Sequence, residues 1–403
     1  MMSETKKPVD DTSMNELIQV NKLMYTVPPS LSLFNTRQYI KYPAQNQTYQ
    51  PSSTVIVPLS NSDVFVDGRN SYVTFDIKNT GVADFTVGKG SFANVFNRAR
   101  YIHASGVEIT HALNVNEFVA THDKLSEESE FWRGQGQLMG YPAEGKDNTL
   151  AAGATTSVAL PLHKVITMFD SHGDKLTPPF LLSGSRLELQ LETGVRAFVG
   201  AGAQNYEISN VEVVLDSYIL SDAAFSVMEK MSAAGLIEYT YQEYEIIEGA
   251  SAVNSINMEM TKSIGRATAA YGVVTGDAQE TDVAQDLFAN IDAAQITQYQ
   301  WRVNSLYLPA LPATGVQKYM SVLAHHKTLG RYSYTDFQDQ AIIAQTLQRS
   351  EFLGPSSGLP INSSSSLRLN VKFDSSAGRR VKMMVPFLKI VTPFLYDRVL
   401  ISV

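Results

Sequence analysis

The chain has 403 residues and a formal net charge of −8, with 44% hydrophobic residues, only 18% charged residues and no cysteine. The negative balance argues against a dedicated nucleic-acid binder, which needs a concentrated basic surface to neutralise phosphates. The missing cysteines exclude disulfides, thiolate nucleophiles and Cys-ligated zinc, and the low charged fraction favours a surface that is buried against partners.

We expect residues 1–29 to form an N-terminal arm rather than part of a folded domain. Ser13 and Glu16 have the S-x-x-E spacing of a capping box, which opens a short amphipathic helix that Pro28 and Pro29 end. The segment has too little apolar surface to fold alone, so it should become ordered only on a partner. We also expect no secretory signal, because residues 1–11 are polar, and no membrane span, because no window approaches about 18 consecutive apolar residues.

Residues 30–220 are predicted to form a first β-sandwich. Alternating or β-branched residues predict strands at 55–57, 72–78, 186–192 and 211–216. The long segments 79–97 and 126–155 are predicted to be loops. Loops beyond about 12 to 15 residues are uncommon in compact domains, so these two are candidates for functional surfaces.

A linker helix is predicted over residues 221–235, and a second sandwich over residues 236–403. Ser221 is the expected N-cap, and Gly235 is the expected glycine past the helix end. The second sandwich is predicted to have strands at the following segments: 237–245, which should carry one aromatic face, 255–261, 381–388 and 395–403. Pro386 and Pro393 should confine the last part of the chain to edges, bulges or kinks.

The two halves repeat one pattern. A helical spacing of i, i+3, i+4, i+7 recurs 201 residues later. The residues that show it are Val115, Phe118, Val119 and His122, and then Val316, Tyr319, Met320 and Leu323. A strand-like run precedes each helix, at 100–103 and 301–304, and an alternating strand follows, at 186–192 and 367–373. The simplest such structure is all-β, with two tandem eight-stranded β-sandwiches and a few short helices.

Three segments carry a resemblance to a known family. They are 98–109 (RARYIHASGVEI), 116–118 (NEF) and 65–75 (FVDGRNSYVTF). They look like the D strand, turn and helix, and the B-to-C passage, of the first jelly roll in virophage and polinton-like virus capsid proteins. Over residues 30–403 the layout resembles the double jelly-roll major capsid proteins of tailless icosahedral viruses, the lineage that includes PRD1 and adenovirus.

The resemblance implies a virion protein. Its homotrimers would have a pseudo-hexagonal outline and would tile an icosahedral shell around the genome, after assembly inside the host cell. Further implied partners are minor capsid, penton or cement proteins, and an internal membrane where there is one, reached through the N-terminal arm. Sequence-specific nucleic-acid binding is not expected.

We predict no enzyme activity, no catalytic residue and no cofactor. Residues 354–358 match the G-x-S-x-G nucleophile elbow, which needs a strand before Ser356 and a helix after it. Pro355, Pro360 and the serines at 363–366 indicate a loop instead. A catalytic Ser356 is therefore not expected.

Metal and acid–base sites are not predicted either. His325 and His326 are adjacent, so on a helix they would point about 100° apart rather than bind one ion. His103 and His111 flank a predicted turn and could approach each other, although structural roles are favoured over zinc ligation. The glutamates within 127–130 are expected to lie in a solvated loop.

Basic residues cluster at the end of the chain. Residues 367–403 contain seven basic residues but only two acidic ones, Asp374 and Asp397. The basic residues are Arg368, Lys372, Arg379, Arg380, Lys382, Lys389 and Arg398. The first interpretation is a set of solvated strand ends; the second is a basic edge that faces nucleic acid, lipid headgroups or an acidic neighbour.

Three classes of function stay open from the sequence. A shell protein should form trimers and a lattice, whereas a jelly-roll binding module, such as a phage fibre or carbohydrate-binding protein, should have a ligand cleft. An enzyme on a β-sandwich should have a convergent polar cluster. Tyr332, Tyr334 and Phe337 would favour a binding module if they are exposed, but burial at a trimer seam explains them equally well.

Overall fold

The structure is a computed structural model that describes residues 34–60, 63–142, 148–202, 204–282, 284–325, 332–350, 355–394 and 398–402. The predicted arm, with its capping box and helix, lies outside these residues. Strands make up most of the regular structure, and short helices interrupt them.

The strands are numbered in chain order. In the first half they are β1 (Phe34–Pro43), β2 (Thr48–Tyr49), β3 (Thr54–Pro58), β4 (Val64–Asn79), β5 (Phe85–Thr86), β6 (Phe96–Ile102), β7 (Glu108–Leu113), β8 (Thr149–Leu150), β9 (Thr155–Pro161), β10 (Arg186–Leu191), β11 (Val199–Gly200) and β12 (Tyr206–Leu220). In the second half they are β13 (Tyr239–Ser251), β14 (Ser255–Met260), β15 (Ile264–Ala267), β16 (Ala269–Gly276), β17 (Ile296–Val303), β18 (Leu306–Ala313), β19 (Ile342–Thr346), β20 (Leu359–Ile361), β21 (Leu367–Phe373), β22 (Arg379–Phe394) and β23 (Arg398–Ser402).

The helices connect these strands. The α-helices are α1 (Val115–Ser126), α2 (Ser129–Arg133), α3 (Gln135–Leu138), α4 (Leu162–Val165), α5 (Pro179–Leu182), α6 (Gly194–Ala197), α7 (Asp222–Ala233), α8 (Gln317–His325) and α9 (Tyr334–Asp339). Single 3₁₀ turns occur at Phe92–Val95, Thr167–Phe169, Asp277–Glu280 and Ala293–Gln295.

Both halves have the same sheet topology. In the first half the two main sheets have the antiparallel orders β1-β12-β4-β9 and β3-β10-β6-β7. In the second half the orders β13-β22-β16-β19 and β14-β21-β17-β18 repeat them position for position. The predicted all-β fold of two eight-stranded sandwiches is confirmed, and so is the repeated helix, because α1 follows β7 just as α8 follows β18.

Alternating residues explain why the strands form and where the core lies. In β21 the side chains of Leu367, Leu369, Val371 and Phe373 are buried, whereas the polar residues between them are not. Successive side chains of a strand point to opposite faces of its sheet, so this alternation places one face against the core. The same pattern in β10 predicted that strand correctly.

Of the predicted positions for Pro386, at an edge, a bulge or a kink, the edge position is wrong. β22 is a central strand that pairs with β13 on one side and with β16, β15 and β23 on the other. Pro386 lies where the pairing changes from β16 to β15, and Thr268 donates from its backbone N–H to the Pro386 carbonyl at 2.9 Å. The break between two neighbouring strands is what accommodates the missing N–H.

The sequence predicts that the long segments 79–97 and 126–155 are loops, but both contain regular structure. The first contains β5 and a 3₁₀ turn, and the second contains α2, α3 and β8. β5, β8 and β11 pair in a small third sheet, where Phe85 stacks on Phe198 with ring centroids 4.1 Å apart. The described parts of these segments therefore belong to the folded first half.

Two other strand predictions also need correction. The segment 65–75 was expected to pass between two strands, but it lies within the single strand β4, whose register against β12 shifts between Val214 and Asp216. β13 begins at Tyr239 and does not have one aromatic face. Tyr244 differs in parity from Tyr239 and therefore points to the other face of the sheet.

The linker helix α7 exists, and its two ends differ from each other. Ser221 is at the N-cap position, but its side chain makes no capping hydrogen bond. At the other end the Gly235 N–H donates to the Ser232 carbonyl and the Leu236 N–H donates to the Met231 carbonyl, both at 2.9 Å. This is a Schellman motif, and Gly235 has the left-handed φ of +67° that it requires.

We predict that Gly235→Ala destabilises the fold more than Gly106→Ala does. Both glycines have a positive φ, so each alanine costs about 1 kcal/mol in backbone strain. A Cβ at Gly106 would meet no atom within 4 Å, but a Cβ at Gly235 would lie 2.6 Å from the Phe394 ring. Gly235→Ala should therefore lose about 2–3 kcal/mol in total. Urea unfolding measures both losses, and equal losses would contradict the packing argument.

Candidate functional site: the junction between the two halves

The edge strand β7 of the first half is covered by β13 and β22 of the second half. The Tyr241 hydroxyl and the Lys389 ammonium both donate to the Ile109 carbonyl, at 2.7 and 2.5 Å. Glu243 accepts from the His111 backbone N–H at 2.9 Å and from Lys389 at 2.6 Å. Side chains therefore satisfy an edge that would otherwise be open to strand addition.

Aromatic side chains of β13 continue this junction on either side. The Tyr239 hydroxyl donates to the Met168 carbonyl at 2.8 Å, so its polar end is satisfied although the ring is buried. On the other face, Tyr244 stacks on Phe118 of α1 with ring centroids 3.6 Å apart. Burial raises the pKa of both tyrosines, so they stay neutral.

A cluster of five charged side chains lies between the halves, and all of them except Arg196 are buried. Lys382 of β22 contacts Glu117 of α1 at 2.5 Å and Glu280 of the second half at 2.9 Å. Arg196 of the first half contacts the same two carboxylates and also Glu192, which lies 3.2 Å away. Lys382 is only 1% exposed, so the two carboxylates rather than water stabilise its ammonium group.

The hypothesis of a basic C-terminal edge facing an external anionic surface is wrong for these cations. Besides Lys382, Arg379 contacts Asp374 at 3.1 Å, and Arg380 contacts Glu248 and Asp277 at 2.8 and 3.0 Å. The acidic partners belong to the same chain. Antiparallel pairing places Glu248 of β13 directly opposite β22, which a linear charge count does not reveal.

Another ion cluster lies at the end of α1, and it shows that the predicted solvated loop is wrong for one of the glutamates at 127–130. Lys164 lies 2.7 Å from Asp123 and also contacts Glu127. Glu127 is therefore paired rather than solvated, whereas Glu128 and Glu130 are exposed. Burial by itself lowers the pKa of Lys164, but its two carboxylates outweigh burial and raise it, so the amine is charged.

This cluster borders a polar cavity of about 350 Å³. Most of its lining comes from the first half, and Gln242 of β13 closes it from the second half. Burial lowers the pKa of His163, one of the lining residues, to about 3, so the ring is neutral. The buried Thr167 hydroxyl has no hydrogen-bond partner among the described residues.

A second cavity, of about 220 Å³, also takes its walls from both halves. Lys124 of α1 donates to the Phe288 carbonyl at 3.1 Å and to the Gln340 side chain at 3.2 Å. Burial lowers the pKa of Lys124 to about 8. Its amine thus links the halves without a direct carboxylate partner among the described contacts.

The predicted aromatic cluster is part of the core of the second half. Tyr332 and Phe337 are buried, and only Tyr334 is exposed. The Tyr332 hydroxyl donates to the Gln340 carbonyl at 2.5 Å, and Tyr319 of α8 packs against Phe337. Packing within the second half accounts for Tyr332 and Phe337. Neither an exposed binding loop nor burial at a trimer seam is needed to explain them.

The candidate catalytic serine lies in an exposed turn, and His103 and His111 have separate partners. Ser356 is exposed and is followed by the strand β20 rather than a helix, whereas Gly354 lies outside the described residues. His103 bonds to Ser105 and to the Phe180 carbonyl, and His111 bonds to Glu108. His326 and the side chain of His325 are likewise outside the described part. In that part no group of three or more histidine and acidic side chains could hold a metal ion.

Comparisons with known proteins agree with this architecture. A chain of the PBCV-1 virus capsid superposes with a TM-score of 0.64, 12% identity and coverage of 94% of this chain and 99% of that one. The Faustovirus major capsid protein gives a TM-score of 0.58, 8% identity and coverage of 94% of each chain. The mavirus major capsid protein gives 0.53, 9% identity and coverage of 100% of this chain and 96% of that one.

The chain has the double jelly-roll fold. At these identities the likeness concerns the fold and not the individual residues. No family model matches the sequence, and no curated protein matches it either. None of the helices in the described ranges is long and apolar enough to cross a membrane.

We predict that Lys382→Met destabilises the protein strongly, whereas Arg380→Met, two residues earlier on β22, does not. Removing Lys382 leaves buried carboxylates at Glu117 and Glu280 with one cation fewer, at a cost of about 3–5 kcal/mol. Arg380 is about one-third exposed, so its pairs are worth about 0–1 kcal/mol. Urea unfolding of both variants checks this, and similar losses would refute the difference between the two sites.

We also predict a pH-dependent contribution from Lys124. Its folded pKa of about 8 is below the ordinary 10.5, so the folded state binds this proton less tightly than the unfolded state. Its contribution to stability should therefore rise as the pH rises from 8 toward 10.5. The measurement is the difference in unfolding free energy between the wild type and Lys124→Met from pH 7 to 10. A difference that does not change with pH would contradict the assignment.

Proposed function

We propose that this protein is a viral major capsid protein whose homotrimers tile an icosahedral shell. The observation that carries the proposal is the repetition of one eight-strand sheet order in both halves, joined by buried ion pairs. Three such chains supply six similar sandwiches, which suits a pseudo-hexagonal unit that can tile a shell. The fold likeness to the major capsid proteins of Faustovirus and mavirus, at nearly full length, supports the same function.

The proposal includes the division of the chain and its partners. Residues 1–29 are the arm, 30–220 the first jelly roll, 221–235 the linker helix and 236–403 the second jelly roll. The trimers associate with one another and with minor capsid, penton or cement proteins. The arm reaches an internal membrane where there is one, and the protein resides in the virion shell without sequence-specific binding to nucleic acid.

Catalysis and ligand binding have less support. The charged residues that line the larger cavity include Asp123 and Lys164, which already neutralise each other. A jelly-roll binding module should have a cleft within one sandwich, whereas both cavities take residues from both halves. We therefore propose a structural rather than an enzymatic role.

The native mass of the purified chain tests the proposal. Because one chain has a mass of 44.4 kDa, a homotrimer should have a mass of about 133 kDa, and negative-stain images should show hexagonal outlines. A stable 44.4 kDa monomer that does not assemble at any concentration tested would contradict the capsid function. That result would favour the binding module, and a glycan screen would be the next measurement.

A further inference from the structure

The second half has an open edge at the place where the first half has a covered one. β7 and β18 end corresponding sheets, and Ala112 and Ala313 are both buried, opposite Ala99 of β6 and Tyr299 of β17. Two residues earlier stand Thr110 in β7, opposite Tyr101, and Leu311 in β18, which bulges between Leu308 and Ala313. Thr110 is 0% exposed and contacts Tyr241, whereas Leu311 is 79% exposed.

The helices that follow the two strands differ in the same way. Val119 of α1 is 2% exposed, but its counterpart Met320 of α8 is 59% exposed. Val115 is fully buried, whereas the counterpart Val316 is largely exposed. We call the exposed apolar side chains of this region the open face. It consists of Leu306, Tyr307, Leu311, Val316 and Met320.

The strand β13, which covers β7, has a counterpart in the first half, the strand β1, whose Tyr39 is exposed. In the second half Tyr241 of β13 pairs with Lys389 of β22, and in the first half Tyr39 of β1 pairs with Asp216 of β12. Tyr39 and Tyr241 each lie three residues before a buried tyrosine, so Tyr39 is the counterpart of Tyr241 in strand position. Tyr241 is fully buried against β7, but Tyr39 is 58% exposed on an edge strand. The next buried tyrosines along the two strands are Tyr42 and Tyr244.

We propose that the open face of one copy docks on β1 and β12 of a second copy, in the way that β7 docks on β13 and β22 within the chain. The exposed Tyr39 ring then contacts Leu311 of the second copy, as the Tyr241 side chain contacts β7 within the chain. The contact joins two different surfaces, so it is heterologous, and a heterologous contact that closes makes a ring. This inference rests on the proposed function and assigns its trimer interface.

The residues that differ between the two junctions are consistent with this docking. Pro312 precedes the buried Ala313, as His111 precedes Ala112, and has no N–H to donate. Lys41 follows Tyr39 by two residues, as Glu243 follows Tyr241. The proposed contact therefore leaves no carboxylate without its donor. Pro309 and Pro312 also prevent strand addition along β18, so side chains have to make the contact, as they do at β7.

Cross-linking tests the two surfaces directly, because the wild-type chain has no cysteine. Tyr39→Cys and Leu311→Cys are made singly and together and are treated with a short bis-maleimide. On a denaturing gel the double variant should give covalent dimers and trimers, and the two single variants expressed together should give dimers. Each single variant alone should give neither product. Dimers from one single variant, or none from the double variant, would overturn the heterologous contact.

A charge in the open face provides a second test with a matched control. Leu311→Lys should reduce the native mass from about 133 kDa to that of one chain, whereas Val82→Lys should not, because Val82 is exposed outside the open face. Both positions are exposed in a single chain, so neither variant should change the fold, and circular dichroism checks this. Trimers that survive Leu311→Lys, or that Val82→Lys breaks equally, would overturn this interface. A monomeric wild type would instead refute the proposed capsid function itself.

Discussion

Lys382 is buried between Glu117 of the first half and Glu280 of the second, and the arrangement of the two jelly rolls depends on this contact. Apolar surfaces tolerate small shifts, but a buried charge that loses its partner costs several kcal/mol. Arg196 shares both carboxylates, so neither half can move without separating several ion pairs. The stack of Phe118 on Tyr244 and the covered edge of β7 then lie in a fixed geometry.

The treatment of sheet edges follows from that geometry. Within the chain, side chains of β13 and β22 cover β7, whereas β18 stays open and carries two prolines. An open edge invites strand addition and aggregation, and proline prevents that pairing because it lacks an N–H. A surface of this kind can still associate through its side chains, as Leu311 and Met320 are placed to do.

Part of this structure could be predicted from the sequence because it depends on local pattern. The alternation in β21 and the i, i+4 spacing in α8 report directly which side chains share a face. The partners of Arg380 and Lys382 could not be predicted, since they come from strands and turns distant in the chain. The central position of Pro386 could not be predicted for the same reason: a neighbouring strand breaks opposite it, and only the assembled sheet contains that break.

The sequence by itself determined an all-β chain of two similar halves, each with a helix at the same place, and a protein without disulfides. Backbone geometry sets the period of side chains along a strand or a helix, so these features can be recognised without knowing the neighbours. Only the tertiary structure decided which edge is covered, which charges meet and which apolar side chains stay exposed. Those outcomes depend on contacts between segments far apart in the chain, and local periodicity carries no information about them.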